Sequence, residues 1–295
     1  MIGSPESFSL IEKDNRNQLI IFLNTIKENL KKGFKVHLIF NKTKRLHPCG
    51  MLYAVSNIES LLETYPKTIS CGYPRDDVVE QLFQHIGFLK LLGKTECRKI
   101  ITADNVRYWH YVNGISTDDV SKFKELIQSI NFNEDIQSGL FESMSEAVTN
   151  TIQHAYEGTK PKKWWMFAQN KNSLLEIAIC DLGIGIPKSL RRKPELKERM
   201  ASTLHRIKNR RDTVLIEVAT GSNRSSTQLS HRGHGLKDML EFVKTNEIGG
   251  FRIFSAKGAF NYSSSNKQVS RKDYPNGING TIVQWQIPVE RNNED

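Results

Sequence analysis

Apolar and polar positions along the chain switch repeatedly between a helical and a strand period, and the switches fall at glycine and proline. Residues 17–31 carry apolar side chains at helical spacing; Gly33 closes that run and an apolar strand, 34–40, follows. A helix is predicted over 50–65, ended by Pro66, then a short strand over 67–71 and a helix over 76–86, ended by Gly87. Strands alternating with helices predict an α/β layer structure, here too short for a large doubly wound domain. Residues 97–111 are rich in β-branched and aromatic side chains and read as one or two β segments turning at Ala103-Asp104-Asn105. Ser116-Thr117-Asp118-Asp119 is a helix-start signal for a helix reaching about 129.

The second half is patterned differently. A helix over 134–156 precedes strands over 164–169 and 174–180; a helix over 236–244 precedes strands over 251–256 and 281–287. A polar stretch, 258–280, containing Ser263-Ser264-Ser265, reads as the loop between the last two strands. On the 134–156 helix, Phe141, Met144, Val148, Ile152 and Ala155 fall on one stripe, with Glu146, Asn150 and His154 opposite. By itself such a polar row is a solvated face.

Composition bounds the reading. A chain of 295 residues suggests two domains. With 38% hydrophobic and 25% charged residues a packed core is feasible and global disorder is excluded. The longest apolar run, 19–23, is far short of a membrane span, and Met1-Ile2-Gly3-Ser4-Pro5 lacks the regions of a signal peptide, so the expected location is the cytoplasm, away from membranes. Cys49, Cys71, Cys97 and Cys180 are scattered without a C-x-x-C and read as buried free thiols of a reducing compartment. The net charge of +10 is uneven: residues 187–232 hold twelve Lys/Arg against four Asp/Glu, a net +8. This block could meet nucleic acid, an acidic partner or nucleotide phosphates, or be a solvated, partly helical insertion.

Four motifs carry candidate chemistry. Glu146 and Asn150 stand one helical turn apart; a Glu there can take a proton from water or a hydroxyl, and an Asn carbonyl oxygen is a hard ligand suited to magnesium. The strand ending at Cys180 leads into Asp181-Leu182-Gly183-Ile184-Gly185-Ile186-Pro187, a carboxylate at a cavity edge with glycines that permit close approach; such an Asp can accept from the exocyclic amine of adenine. Arg232-Gly233-His234-Gly235-Leu236 opens a helix, whose N-terminal amides and dipole favour an anion. Gly280-Thr281 opens the last strand, and Thr281 could reach a base or simply start the strand.

In this order the motifs resemble those of the GHKL ATPase superfamily over about 115–289, and most of all the anti-sigma-factor serine kinases, whose N-box is similar to Ser145-Glu146-Ala147-Val148-Thr149-Asn150 followed by Ile152 and His154. The resemblance implies an α+β layer fold binding ATP and Mg2+. It implies Glu146 as general base, Asn150 as magnesium ligand and Asp181 as adenine anchor. Gly183, Gly185 and Ile186 would form the first glycine box; Gly233, His234, Gly235 and Leu236 would line the phosphates, and Gly280 and Thr281 would match the terminal Gly-Thr. Residues 187–232 would be the lid, longer and more basic than in compact anti-sigma kinases, with Arg232 the best cation for the phosphates.

The order strand, helix, strand, helix over 34–92 resembles the STAS domain of anti-sigma-factor antagonists. The matching turn, His47-Pro48-Cys49-Gly50, has no hydroxyl before Gly50, which implies a docking or dimerising module without the phosphoacceptor. The expected organisation is a STAS-like domain over 1–95, a bridging β segment over 96–115, a GHKL domain over 116–290 and a tail over 291–295. The expected function is a Mg-ATP-binding regulator whose lid controls a protein partner, with slow hydrolysis. The alternatives are a serine/threonine kinase acting on a separate, co-encoded antagonist-like protein, and a nucleic-acid-associated, ATP-gated component of a larger defence or mobile-element complex; homodimerisation stays open. A sensor histidine kinase is disfavoured, because His85 and His110 do not lie on a dimerising helical hairpin.

Overall fold

The computed structural model describes residues 1–95, 98, 101–103, 106, 108–128, 132–158, 162–192, 211–221 and 235–289. It is a mixed α and β protein. In its first part the strands are β1 (Ile2–Gly3), β2 (Ser7–Phe8), β3 (Val36–Ile39), β4 (Arg45–Leu46) and β5 (Ile69–Cys71), and the helices α1 (Lys13–Lys31), α2 (Pro48–Thr64), α3 (Asp77–His85) and α4 (Phe88–Leu91). Strand β6 (Trp109–Gly114), a 3-10 turn (Asp118–Phe123), α5 (Lys124–Gln128), α6 (Glu134–Asn150) and a π-helical turn (Thr151–Ala155) follow. The remainder comprises β7 (Trp164–Lys171), β8 (Leu174–Asp181), α7 (Ile186–Arg192), α8 (Asp212–Ala219), α9 (Gly235–Thr245), β9 (Gly250–Ser263) and β10 (Gln268–Pro288). Strands pair in the orders β1-β3-β5, β2-β4 and β6-β7-β8-β10-β9. Among the described residues no helix is long and apolar enough to cross a membrane. The chain divides into two compact units, Met1–Tyr111 with Met166–Lys171, and Val112–Trp165 with Asn172–Asp295.

In the first unit β1, β3 and β5 are parallel, with Leu38 opposite both Ile2 and Cys71. Helix ends follow sequence chemistry: Asp76 caps α3 by accepting from the Val78 and Val79 amides, and Gly33 and Gly87 leave helices at positive φ. The core is aromatic. Phe8, Phe22, Phe40, Phe83 and Phe88 are buried, with edge-to-face contacts such as Phe40–Phe83 at 5.0 Å and Phe83–Phe88 at 4.9 Å. Two expectations change here. The His47–Gly50 turn is the cap and first turn of α2, with Pro48 at the position where its missing amide costs nothing. Among the described residues of the expected β segment over 97–111 only β6 is strand, at its end; residues 101–103 are not strand, because the Gln81 side chain takes the Thr102 and Ala103 amides that a ladder would need, and residues 97, 99, 100, 104, 105 and 107 lie outside the described residues.

In the second unit α6 is capped by Asn133, which accepts from the Ile136 amide at 2.8 Å. Its buried residues, Leu140, Ser143, Met144, Ala147 and Val148, form a stripe close to the expected one. Helix α9 packs on α6 at Gly139, where a Cβ would stand 2.7 Å from the Phe242 ring. The expected helix over 116–129 is instead a 3-10 turn running into the short α5.

The expected loop over 258–280 is strand. β9 and β10 form one long antiparallel hairpin, registered from Gln268 opposite Ser263 to Gln286 opposite Gly250. Ser264–Lys267 makes its tip, and Ala259, Phe260, Tyr262 and Tyr274 are buried. The glycines that read as loop are irregularities within the ladder: register slips between Asp273 and Ile278 and between Ile278 and Thr281, opposite an Ala256 at positive φ.

Gly50 supplies a test of the first unit. A Cβ there would stand 2.3 Å from the Phe8 carbonyl oxygen, a backbone atom that cannot swing aside. Helix propensity alone favours Gly50→Ala by up to about 1 kcal/mol. The expected result is the opposite sign, a loss of roughly 1–3 kcal/mol in urea unfolding from overpacking; a stabilised variant would refute the packing assignment.

Candidate functional site

The site grows from the C-terminal end of β8. Asp181 closes that strand, directly opposite Thr281 of β10. Its carboxylate accepts the Gly183 amide at 2.7 Å and also the Thr281 amide. Asp181 is only 7% exposed, and burial, opposed by those two amides, lifts its pKa from the ordinary 3.8 to about 7.

Glycine is required around it by contact rather than by habit. A Cβ on Gly183 would lie 2.1 Å from the Ala155 carbonyl oxygen, and one on Gly280 would lie 1.9 Å from that of Asp181. Gly185 and Gly280 also have positive φ, +78° and +75°. The Ile184 amide donates to Ala155 O at 2.8 Å, so the glycine turn is bonded to the π-helical turn that continues α6. Single π turns inside helices recur at functional sites because they re-aim the residues around them.

Glu146 and Asn150 lie on the last turn of α6, half-buried rather than solvated. Asn150 Nδ2 donates to Glu146 Oε1 at 3.3 Å. Gly235, the first residue of α9, sits on this pair: a Cβ there would be 2.0 Å from Glu146 Oε1 and 2.6 Å from Asn150 Nδ2. Burial first, then the nearby charge of Asp238, raise the proton affinity of Glu146, and the Asn150 amide partly opposes them. His154, third in the polar row, is exposed on the π turn.

The structure thus forms two groups in contact, Glu146, Asn150 and Gly235 at the end of α6, and Asp181, Gly183, Gly185, Ile186, Gly280 and Thr281 around the end of β8, with Ala155 of the π turn that continues α6 touching the second. Leu236 is half-buried in the first turn of α9. Arg232, Gly233 and His234 lie outside the described residues, as does most of the basic stretch 187–232. Of that stretch's four described cations, Lys188 is exposed, while Arg191 pairs with Asp212, Arg192 with Glu157 and Arg211 with Asp273. Helix α8 is itself half core, with Thr213, Leu215, Ile216 and Glu217 buried. Among the described residues no cluster of three or more His, Cys, Asp or Glu could hold a metal ion; an Asn ligand falls outside such a set.

Sequence reading passed over three contributors. Ser255 of β9 is fully buried and hydrogen-bonds to the Ile186 amide, Gly280 O and Thr281 Oγ1. Tyr156 receives the Leu182 amide on its hydroxyl and donates to Lys163 O, and burial followed by the Asp181 charge pushes its pKa up. Asp238 acts on Glu146 from α9. Ser255 continues the apolar row of Phe251 and Ile253 at strand spacing, and a polar residue in that row was the available signal for the first.

No known protein family matches the chain, and no curated protein matches it.

The buried Asp181 fixes the sign of a pH effect. Its folded pKa is raised, so its stabilising contribution is complete below the unfolded value near 4 and disappears as pH climbs through about 7. The difference is worth on the order of 4 kcal/mol. Asp181→Asn keeps the acceptor oxygen without the charge, so its stability relative to the wild type should grow between about pH 4 and pH 8 in urea unfolding. Parallel pH curves for the two proteins would contradict a buried, proton-holding Asp181.

Proposed function

We propose that this chain is a Mg-ATP-binding regulatory protein, with a GHKL-type nucleotide domain in its second unit and a STAS-like docking module in its first. The observation that carries the reading is the position of the α6 C-terminal end between two glycine motifs. Gly235 abuts Glu146 and Asn150 on one side, and Gly183 abuts Ala155 a turn further on. A helix end holding a carboxylate and an amide, beside a helix N-terminus and a glycine turn with a buried Asp, has parts for both ends of a nucleotide.

In this reading Asp181 accepts from the adenine amine, and the start of α9 presents its amides to the phosphates. Asn150 uses Nδ2 on Glu146, which leaves its Oδ1 as the hard donor that suits magnesium. Magnesium, when bound, would offset phosphate charge. Glu146, with its raised proton affinity, suits a base for water. In the same reading the first turn of α2 corresponds to the phosphoacceptor turn of STAS domains; Cys49, fully buried in that turn, offers no hydroxyl. That favours docking over being phosphorylated.

Two variants test the roles. Asn150→Ala should lose the magnesium-dependent part of ATP affinity in calorimetric titration; affinity equal to wild type at every magnesium concentration would remove the metal role. Glu146→Ala should keep ATP binding while hydrolysis falls by about 10²- to 10⁴-fold, the usual size of a general-base contribution. Undiminished release of labelled phosphate would rule that assignment out.

A further inference from the structure

Ser255 is placed to do something its burial forbids it to do directly. It is 0% exposed, so it cannot touch a ligand, yet its hydroxyl binds both segments that flank Asp181. It accepts from the Ile186 amide at 3.0 Å, at the end of the Gly183–Gly185 turn. It lies 3.0 Å from Gly280 O and 3.2 Å from Thr281 Oγ1, at the start of the strand facing Asp181. A serine hydroxyl has one proton and two lone pairs. With one lone pair taken by Ile186, its proton goes to Gly280 O, a carbonyl that can only accept, so the Thr281 hydroxyl donates to its second lone pair.

That assignment sets Thr281: with its proton on Ser255, the Thr281 hydroxyl keeps its own lone pairs for the pocket. Thr281 is 9% exposed and Asp181 7%, so each shows only an edge, and small shifts decide which base edge fits. The room for adjustment is small: Gly185 approaches Ser255 Oγ so closely that a Cβ would stand 2.8 Å away, and it also approaches Gly280 O.

We infer that Ser255 is a positioning residue for base selectivity: by tying the Gly185–Ile186 turn to Gly280–Thr281 it holds Asp181 and Thr281 in the arrangement that takes an exocyclic amine and refuses an exocyclic carbonyl. Adenine offers an amine at the position where guanine offers an oxygen. Ionised, above its folded pKa of about 7, the Asp181 carboxylate fixed there accepts from the first and repels the second; a site built around such a hydrogen bond discriminates strongly, because the wrong partner leaves a buried polar group unpaired. Without the Ser255 hydroxyl the Ile186 amide loses its acceptor, the two walls are no longer tied, and the distinction weakens. This inference rests on the ATP reading of the same site.

The test is calorimetric titration at pH 8, where Asp181 is ionised, of the wild type, Ser255→Ala and Ser255→Thr with ATP and, separately, GTP, both with magnesium. The wild type is expected to prefer ATP. Ser255→Ala should bind ATP about tenfold more weakly, as for one hydrogen bond lost in a buried site, with GTP affinity nearly unchanged, so that the preference shrinks by the same factor. Ser255→Thr keeps the hydroxyl and should keep the preference. If Ser255→Ala does not fold, Ser255→Cys, similar in volume but a weak hydrogen-bonding group, gives the same readout. An unaltered ATP-to-GTP ratio in the variant overturns the inference while leaving ATP binding standing. So does an equal loss for both nucleotides, which is what a merely structural serine would give, and so does a wild type without preference. A wild type that binds neither nucleotide removes the ATP reading and this inference with it.

Discussion

The second unit depends on how closely its backbones approach one another around Asp181. Gly280 leaves no room for a Cβ against the Asp181 carbonyl, and Gly183 leaves none against that of Ala155. Because these clearances are shorter than any side chain allows, the end of β8, the start of the last β10 ladder and the π-helical end of α6 converge on one place. The amides so brought together need acceptors. Asp181 takes those of Gly183 and Thr281, Ser255 that of Ile186, Tyr156 that of Leu182 and Ala155 that of Ile184. Each polar side chain of the site therefore has a structural duty, and its availability for a ligand is what remains after that duty is met.

The two carboxylates of the site are held differently. Asp181 is enclosed, and burial dominates its proton affinity even against two amide donors. Glu146 is only half-buried and is raised by the same effect, with Asp238 adding to it. In the proposed reading a carboxylate deep in the sheet end and a second at a helix end take different tasks, recognition of a neutral polar group and proton transfer near solvent. The environment distinguishes them where residue type does not.

The hairpin of β9 and β10 ties further chain to this centre. Arg271 pairs with the buried Glu217, Thr213 donates to Asp273, and the Lys257 amide donates to Asp212, so α8 is bonded to the hairpin through both charged and neutral groups. Gly258 lets the two approach, since a Cβ there would stand 2.7 Å from the Thr213 amide. Three arginines of the basic stretch, Arg191, Arg192 and Arg211, pair with acidic side chains of the fold.

Periodicity alone placed most elements. The helices near 17–31, 50–65, 76–86, 134–156 and 236–244 were visible because each must bury one stripe, and the strands at 164–169 and 174–180 because an apolar run between turn residues has few alternatives. Spacing and residue type also singled out Glu146, Asn150, Asp181 and the glycines, since few roles demand that combination. The long hairpin was hidden because its bulges require glycine, and glycine along a sequence signals a loop equally well. Ser255 and Tyr156 were hidden because their importance lies in partners far along the chain. What the sequence by itself determined was which residues could serve; only the tertiary structure decided that Asp181 is buried, that Asn150 turns its Nδ2 to Glu146, and that Ser255 stands behind Thr281. Hydrogen-bond partnership and desolvation depend on what packs opposite, and no local pattern contains that.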